Sequence, residues 1–172
     1  MKTLRESILK SVKAGMHSMD PKNIRSGEDL HEYAKMLYGN LVKDIIDYNS
    51  TKYFYIEYNN KLTLKILTTR YIGELFEARC IFEENNRIEK EIYWSMWETS
   101  SDGDFKTLLR PEKLLEKDQK YYTKLIEKYK KKLDRIRRSG KLNWEIKERA
   151  TLEGLAEYER RIRNIEKVKQ LL

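Results

Sequence analysis

The chain has 172 residues, of which 37% are charged, seven are glycine and two are proline. This length suits one domain with its own core, and this composition favours helices with solvated faces over a loop-rich sandwich. A single cysteine, Cys80, excludes a disulfide framework within the chain. The formal net charge of +8 favours an acidic partner but says nothing about the fold.

The opening residues lack the apolar run of a secretion signal, and no stretch approaches the ~18 apolar residues that cross a bilayer. A lone cysteine also fits a reducing compartment. We therefore expect a cytoplasmic protein that is neither secreted nor bound to a membrane.

Two helices are predicted in residues 1–48. Thr3-Leu4-Arg5-Glu6 has the spacing of a capping box, and apolar residues recur every four positions after it until Gly15. Ser26-Gly27-Glu28-Asp29 repeats the capping pattern, and an apolar period of 3.6 residues then runs from Leu30 to Tyr48. This first part of the chain is therefore expected to be helical.

Residues 51–98 show the alternation of an antiparallel sheet. Two alternating runs, 53–58 and 61–67, are separated by Asn59-Asn60, which predicts a β-hairpin with a two-residue turn because Asn tolerates positive φ. A second hairpin is predicted from 75–83 and 88–97.

In that second hairpin, Phe82 is expected opposite Ile88 and Ala78 opposite Ile92, which requires a three-residue loop at Asn85-Asn86. The segment Glu74–Glu84 fits both a strand and a helix, and we predict a strand. The result is a sheet of about four strands in two hairpins.

Residues 111–172 are predicted to form an antiparallel helical hairpin. Pro111 suits a first helical turn, and Ser139-Gly140 breaks the helical pattern. Apolar residues in heptad rhythm form a seam on each helix: Tyr122, Ile126, Tyr129, Leu133 and Ile136 on the first, and Leu155, Tyr158, Ile162, Ile165 and Leu172 on the second, which Asn143 is expected to cap. The prediction is a single α+β domain with helices flanking the sheet.

The net positive charge is confined to the last third of the chain. Residues 101–172 contain 21 basic and 13 acidic side chains, whereas the preceding 100 residues are neutral. A basic stripe recurs every three or four positions opposite the predicted seam: Lys113, Lys117, Lys120, Lys124, Lys128, Lys131, Arg135 and Arg138. Such a stripe suits nucleic-acid phosphates or an acidic protein surface, although charged outer helix faces are often only solvated.

Aromatic residues concentrate on the predicted sheet. They are Tyr53, Tyr55, Tyr58, Tyr93, Trp94 and Trp97. Such a group either fills a core, anchors an interface or stacks on bases. Because both faces of the first predicted hairpin carry large apolar groups, a partner subunit is one means of covering the sheet.

No catalytic, metal or cofactor site is predicted. His17 and His31 lack ligands at metal spacing and are expected at the surface, and Cys80 is expected to be a buried structural thiol. Asp102-Gly103-Asp104 indicates a turn. There is neither a glycine-rich phosphate loop nor a nucleophile elbow. We therefore expect a non-enzymatic protein without a cofactor.

The first 15 of the 172 residues, MKTLRESILKSVKAG, resemble an opening segment of uncharacterised proteins of crAss-like phages that infect Bacteroidetes. The resemblance implies a phage-encoded protein, either a virion part such as a head or neck component or an early accessory factor. It would then act in the host cytoplasm or inside a virion. The resemblance carries over no functional residues.

Two functions follow as hypotheses. The first is a non-enzymatic assembly protein of a phage particle that docks on other subunits, or on further copies of itself, through the basic hairpin and the aromatic sheet. The second is a nucleic-acid backbone binder, or a small inhibitor of a host nuclease or defence complex. No helix-turn-helix, zinc finger or RNA-binding aromatic signature accompanies the basic stripe, so direct reading of bases is not expected.

Overall fold

The structure is a computed structural model that describes residues 24–70, 76–95, 98–99 and 105–172. The helix predicted between Thr3 and Gly15 lies outside the described residues. The chain separates into two compact units, Met1–Arg110 and Pro111–Leu172. The boundary coincides with the predicted start of the helical hairpin, and the single domain stays a prediction.

The first unit contains an antiparallel sheet with flanking helices, which confirms the α+β class. Its strands are β1 (Ile46–Tyr48), β2 (Thr51–Ile56), β3 (Leu62–Arg70), β4 (Phe76–Glu84), β5 (Glu91–Trp94) and β6 (Glu98–Thr99). They follow the order β1-β2-β3-β4-β5, and β6 also pairs with β4. The sheet therefore has two short strands more than the four predicted.

One face of this sheet forms the core. Phe54, Leu64, Ile66 and Phe82 are fully buried there, and the burial pattern of β3 alternates strictly along the strand. Helix α1 (Gly27–Tyr38) covers this face, and its His31 ring lies edge-on against Phe54 with centroids 4.9 Å apart. A short helix, α2 (Phe105–Leu108), completes the described part of the unit.

Helix α1 begins where the capping pattern predicts it, but it ends ten residues earlier than predicted. The Ser26 hydroxyl accepts a hydrogen bond from the Asp29 amide at 3.1 Å. The helix stops at Tyr38 because Gly39 adopts φ +58°, and a 3₁₀ turn follows. Of the apolar residues beyond it, Ile46 and Tyr48 belong to β1, where both are exposed.

The β2–β3 connection differs from the predicted two-residue turn. The register pairs Ile56 with Leu64, which centres the turn on Asn60 instead of between the two asparagines. The Asn59 side-chain oxygen accepts hydrogen bonds from the amides of Lys61 and Leu62, both at 2.8 Å. Asn59 thus closes the loop as an Asx turn and not through a positive φ.

The strand prediction is confirmed for Phe76–Glu84, which form β4, but the predicted partner register is wrong. Phe82 pairs with Tyr93 and not with Ile88, which is fully exposed in the connecting loop. The loop is longer than three residues because β5 begins only at Glu91. Asn86 supplies a positive φ of 63° within it.

The second unit is the predicted antiparallel pair of helices, α3 (Pro111–Ser139) and α4 (Trp144–Leu171). Along the seam Tyr122, Leu133 and Ile165 are buried, and the remaining seam residues are half-buried. Asn143 occupies the position before α4 in a left-handed conformation, but its side chain makes no capping hydrogen bond. Asn143 is therefore the residue at the predicted N-cap position, but it does not cap α4 through its side chain.

Candidate nucleic-acid interface

All eight residues of the predicted basic stripe lie on α3, and all eight are exposed. We call this set the basic face: Lys113, Lys117, Lys120, Lys124, Lys128, Lys131, Arg135 and Arg138. The helix forms readily because Lys, Arg, Glu and Leu are strong helix formers and Pro111 occupies the first turn. Successive steps of three and four residues keep the cations on one side of the helix.

An aromatic cluster on the seam fixes which side of α3 faces outwards. The rings of Tyr122 and Tyr129 contact Tyr158 of α4, with centroids 5.8 and 5.1 Å away. Gly154 of α4 lies against Tyr129, whose Cε1 would be only 2.6 Å from a Cβ added at that glycine. This close approach holds the seam side of α3 against α4, so the opposite side is presented to solvent.

Three of the five acidic residues of α3 border the basic face. Glu116, Glu127 and Asp134 are exposed and fall at one edge of it, given ~100° of rotation per residue. Lys117 has an interaction partner, whereas the other seven cations form no ion pair with any residue in the described ranges. Like charges one turn apart repel each other, so an added anion lowers the electrostatic energy of the face.

The charges of α4 are arranged differently. Glu157 accepts hydrogen bonds from Arg160 at 2.8 Å and from Arg161 at 3.1 Å. The hydrogen bond from Arg160 lowers the pKa of Glu157, and Glu157 in turn raises the pKa of Arg160. Arg160 and Arg161 of α4 are thus paired within their own helix, whereas seven of the eight cations of the basic face are in no ion pair with a described residue.

The middle of the basic face is slightly concave. Lys124, Lys128, Lys131 and Arg135 line a shallow depression of about 520 Å³, together with Lys132 and the acidic residue Glu127. The Tyr129 ring borders it, and the Lys132 ammonium lies 5.5 Å from the centre of that ring. The five cations around this open, shallow surface can bind the oxygens of extended anionic groups.

The aromatic residues predicted as an interface do not form one surface. Tyr93 is buried beside Phe82, with ring centroids 6.0 Å apart, and Tyr58 contacts Tyr38 of α1. Tyr53, Tyr55 and Trp94 lie half-buried on the opposite face of the sheet, and Trp97 lies outside the described residues.

Two cations cover the rings on that opposite face. The Lys65 ammonium lies 4.7 Å from the Tyr53 ring centre, and the Arg79 guanidinium lies 4.4 Å from that of Trp94. Cation–π contacts of this kind stabilise the observed positions of the two rings and the two cationic side chains. A role for these aromatic residues as an interface stays a prediction.

Two sequence predictions about single residues have different outcomes. Cys80 is buried, as expected, and its backbone amide donates a hydrogen bond to the Ser95 hydroxyl oxygen at 3.2 Å. His31 is buried and not at the surface as predicted, because Nε2 donates to the Lys43 carbonyl at 2.8 Å between α1 and the sheet. His17 lies outside the described residues.

The sequence patterns missed a group of exposed apolar residues at the turn between α3 and α4. These are Leu142, Trp144 and Ile146, which occupy alternate positions next to the predicted break. Leu142 and Ile146 do not fit the seam period of α4, whereas Trp144 does, and that misfit was the available signal. Within the described ranges no group of three or more His, Cys, Asp or Glu side chains is arranged to hold a metal ion.

No family model, curated protein or solved structure matches the chain. None of the helices in the described ranges is long and apolar enough to cross a membrane.

Proposed function

We propose that this protein is a non-enzymatic interaction protein and that the basic face of α3 binds the phosphate backbone of nucleic acid. The observation that carries the proposal is the exposure of eight cations along one side of a helix of 29 residues. Counterions condensed on a nucleic acid are released when such cations replace them, and this release drives association.

The length and regularity of the basic face favour a repeating anion. From Lys113 to Arg138 the helix rises ~37 Å at about 1.5 Å per residue. A duplex carries a phosphate about every 3.4 Å along each strand, so acceptors are available along the whole face whatever the base sequence. An acidic protein surface would have to match the spacing of the cations with carboxylates.

The chemistry of the face favours backbone contacts over base reading. Six of its eight members are Lys, whose ammonium binds phosphate as a point charge, and it includes no Asn or Gln that would read an adenine edge. Contacts to phosphate set position and affinity but carry no sequence information. The expected activity is therefore binding with little sequence preference and a strong dependence on salt.

Salt titration tests the proposal. Binding to a duplex of mixed sequence, measured by fluorescence anisotropy, should weaken by about a thousandfold between about 50 and about 200 mM salt if six or more phosphates are contacted. An affinity that does not change with salt would contradict phosphate binding.

Charge removal locates the binding to α3. Replacement of Lys124, Lys128, Lys131 and Arg135 by Gln should weaken binding and reduce the salt slope by about 4, or about one per lost contact. The matched control removes four exposed cations away from the face: Lys61, Lys90, Arg163 and Lys167. Equal losses in the two variants would mean that net charge alone acts and that α3 is not the site.

The biological setting stays a prediction. Phage origin and assembly with other virion subunits, or with further copies of the chain, are compatible with a protein that binds packaged or replicating nucleic acid. A cationic face repels the cationic groove of a nuclease. The hypothesis of an inhibitor seated in such a groove therefore gains no support from α3.

A further inference from the structure

The turn between α3 and α4 exposes apolar side chains at the end of the helical hairpin. Leu142 is 87% exposed, Ile146 69% and Trp144 38%. We call these three residues the hairpin tip. Single exposed apolar residues are common on proteins, but these three lie close together along the chain at one end of the hairpin. Leu142 precedes α4 and Ile146 lies on the side of α4 away from the seam, whereas Trp144 continues the seam rhythm and is only partly exposed.

The turn that carries the tip has a defined conformation. Gly140 and Asn143 both adopt positive φ, of 52° and 66°, and the Trp144 amide donates to the Lys141 carbonyl at 3.1 Å. Beside the turn, Arg137 of α3 donates to Glu148 of α4 at 2.6 Å. The exposure of the tip therefore follows from an ordered turn between two paired helices.

The surroundings of the tip are strongly basic. Residues 135–149 contain six basic and two acidic side chains. One acid, Glu148, is already paired with Arg137. Arg135 and Arg138 belong to the basic face, so the cationic surface of α3 continues to the tip. A second copy of this tip would be repelled by it, which disfavours self-association at this position.

A ligand that matches this surface has to offer both negative charge and apolar area. Nucleic acid offers both where bases are unpaired, because the phosphates are anionic and the faces of unstacked bases are apolar. Apolar side chains of proteins also insert at opened base steps. Continuity with the basic face favours nucleic acid over an acidic protein or a lipid surface.

We propose that the hairpin tip contacts unpaired bases where a duplex opens, so that the protein prefers a nucleic acid with a frayed or single-stranded end to an uninterrupted duplex. This inference rests on the proposed function, in which the basic face of α3 follows the phosphates. The tip would let the protein distinguish an opened duplex from an intact one, without reading the base sequence.

The test compares two DNA probes that share one duplex sequence, one with blunt ends and one with a splayed single-stranded fork. Anisotropy should show tighter binding to the fork by about fivefold or more, the effect expected for one added base contact. The variant Leu142→Ser/Ile146→Ser should lose this preference and keep its affinity for the blunt duplex. Both side chains are largely exposed, so the fold should tolerate the change.

Two further variants control the result. Leu152→Ser removes another exposed apolar side chain of α4, 41% exposed and two turns from the hairpin end, and should keep the preference for the fork. Trp144→Ala should reduce that preference because an indole ring offers the largest stacking area of the tip. Circular dichroism establishes that each variant is folded.

The outcomes separate the inference from the proposed function. Salt-dependent binding to both probes without preference for the fork overturns the role of the tip and leaves the role of the basic face intact. Absence of binding to either probe overturns both. A third outcome is that the wild type binds phosphatidylglycerol vesicles, the tip variant does not, and neither prefers the fork. This result would assign the tip to lipid binding and would also overturn the inference.

Discussion

At the scale of single residues, Gly154 sets how closely α3 and α4 approach at Tyr129. An alanine there would place its Cβ 2.6 Å from the ring atom Cε1. The ring has little room to move because it packs edge-on against Tyr158, with centroids 5.1 Å apart. We expect Gly154→Ala to lower the free energy of unfolding by about 1 kcal/mol, since the overpacking cost exceeds the gain in helix propensity. Urea denaturation followed by circular dichroism measures this change.

The Tyr129→Ala background provides the control for Gly154→Ala. Without the ring, the added methyl group has space, and alanine should then stabilise α4 by about 0.5–1 kcal/mol through helix propensity. A destabilisation of the same size in both backgrounds would show that Tyr129 is not the reason for the glycine.

Tyr158 makes the helical hairpin sensitive to alkaline pH. The hydrogen bond to Tyr129 and burial raise its pKa to about 12 from a usual value of 10.0. The unfolded chain ionises Tyr158 at the usual value, so ionisation favours unfolding above it. The contribution of the neutral phenol to stability should be complete below about pH 10 and lost as the pH rises towards about 12.

Thermal unfolding across this pH range tests the role of Tyr158. The wild-type melting temperature should fall more steeply than that of Tyr158→Phe, which cannot ionise. Lysine and other tyrosine side chains titrate in both proteins, so only the difference in slope reports on Tyr158. Parallel slopes would refute a raised pKa of Tyr158 as the cause.

At the scale of elements, the start of α1 depends on one hydroxyl. Ser26 accepts the Asp29 amide hydrogen bond, and Gly27 lies so close to β3 that a Cβ there would be 2.5 Å from the Thr68 hydroxyl. We expect Ser26→Ala to lower the free energy of unfolding by about 1 kcal/mol, whereas Ser26→Asp should retain most of it. Urea denaturation of both variants is the measurement, and equal losses would argue against capping.

The two ends of α1 differ in how readily the sequence predicts them. The capping residues are local and were identified correctly. The end was missed because the apolar period continues past Tyr38, whereas Gly39 at φ +58° stops the helix and Ile46–Tyr48 pair with β2. Pairing with a strand outweighed the periodic pattern there.

At the scale of the whole molecule, the net charge and the sheet lie in different parts of the chain. Residues 1–100 carry no net charge, and the excess lies in residues 101–172. The basic unit, Pro111–Leu172, is also compact by itself. Because the basic face lies on one side of α3, the proposed binding should respond to substitutions in α3 and not to substitutions in the sheet.

The sequence alone determined the α+β class, the strand at Phe76–Glu84, the helical hairpin and every member of the basic face. These features depend on local propensity and on helical or strand period, which neighbouring residues fix. The eight cations were therefore placed correctly before any contact was known.

Only the tertiary structure decided the strand registers, the burial of His31 and the exposure of the hairpin tip. The register of two strands depends on which residues pair across the turn that joins them. The Asx turn at Asn59 and the loop before Glu91 set these pairings, and the alternation of apolar residues within each strand does not specify them. His31 is buried because its ring packs against the sheet and hydrogen-bonds to the Lys43 carbonyl. Leu142 and Ile146 are exposed because the ordered turn places them beyond the seam, and this arrangement exists only once α3 and α4 have paired.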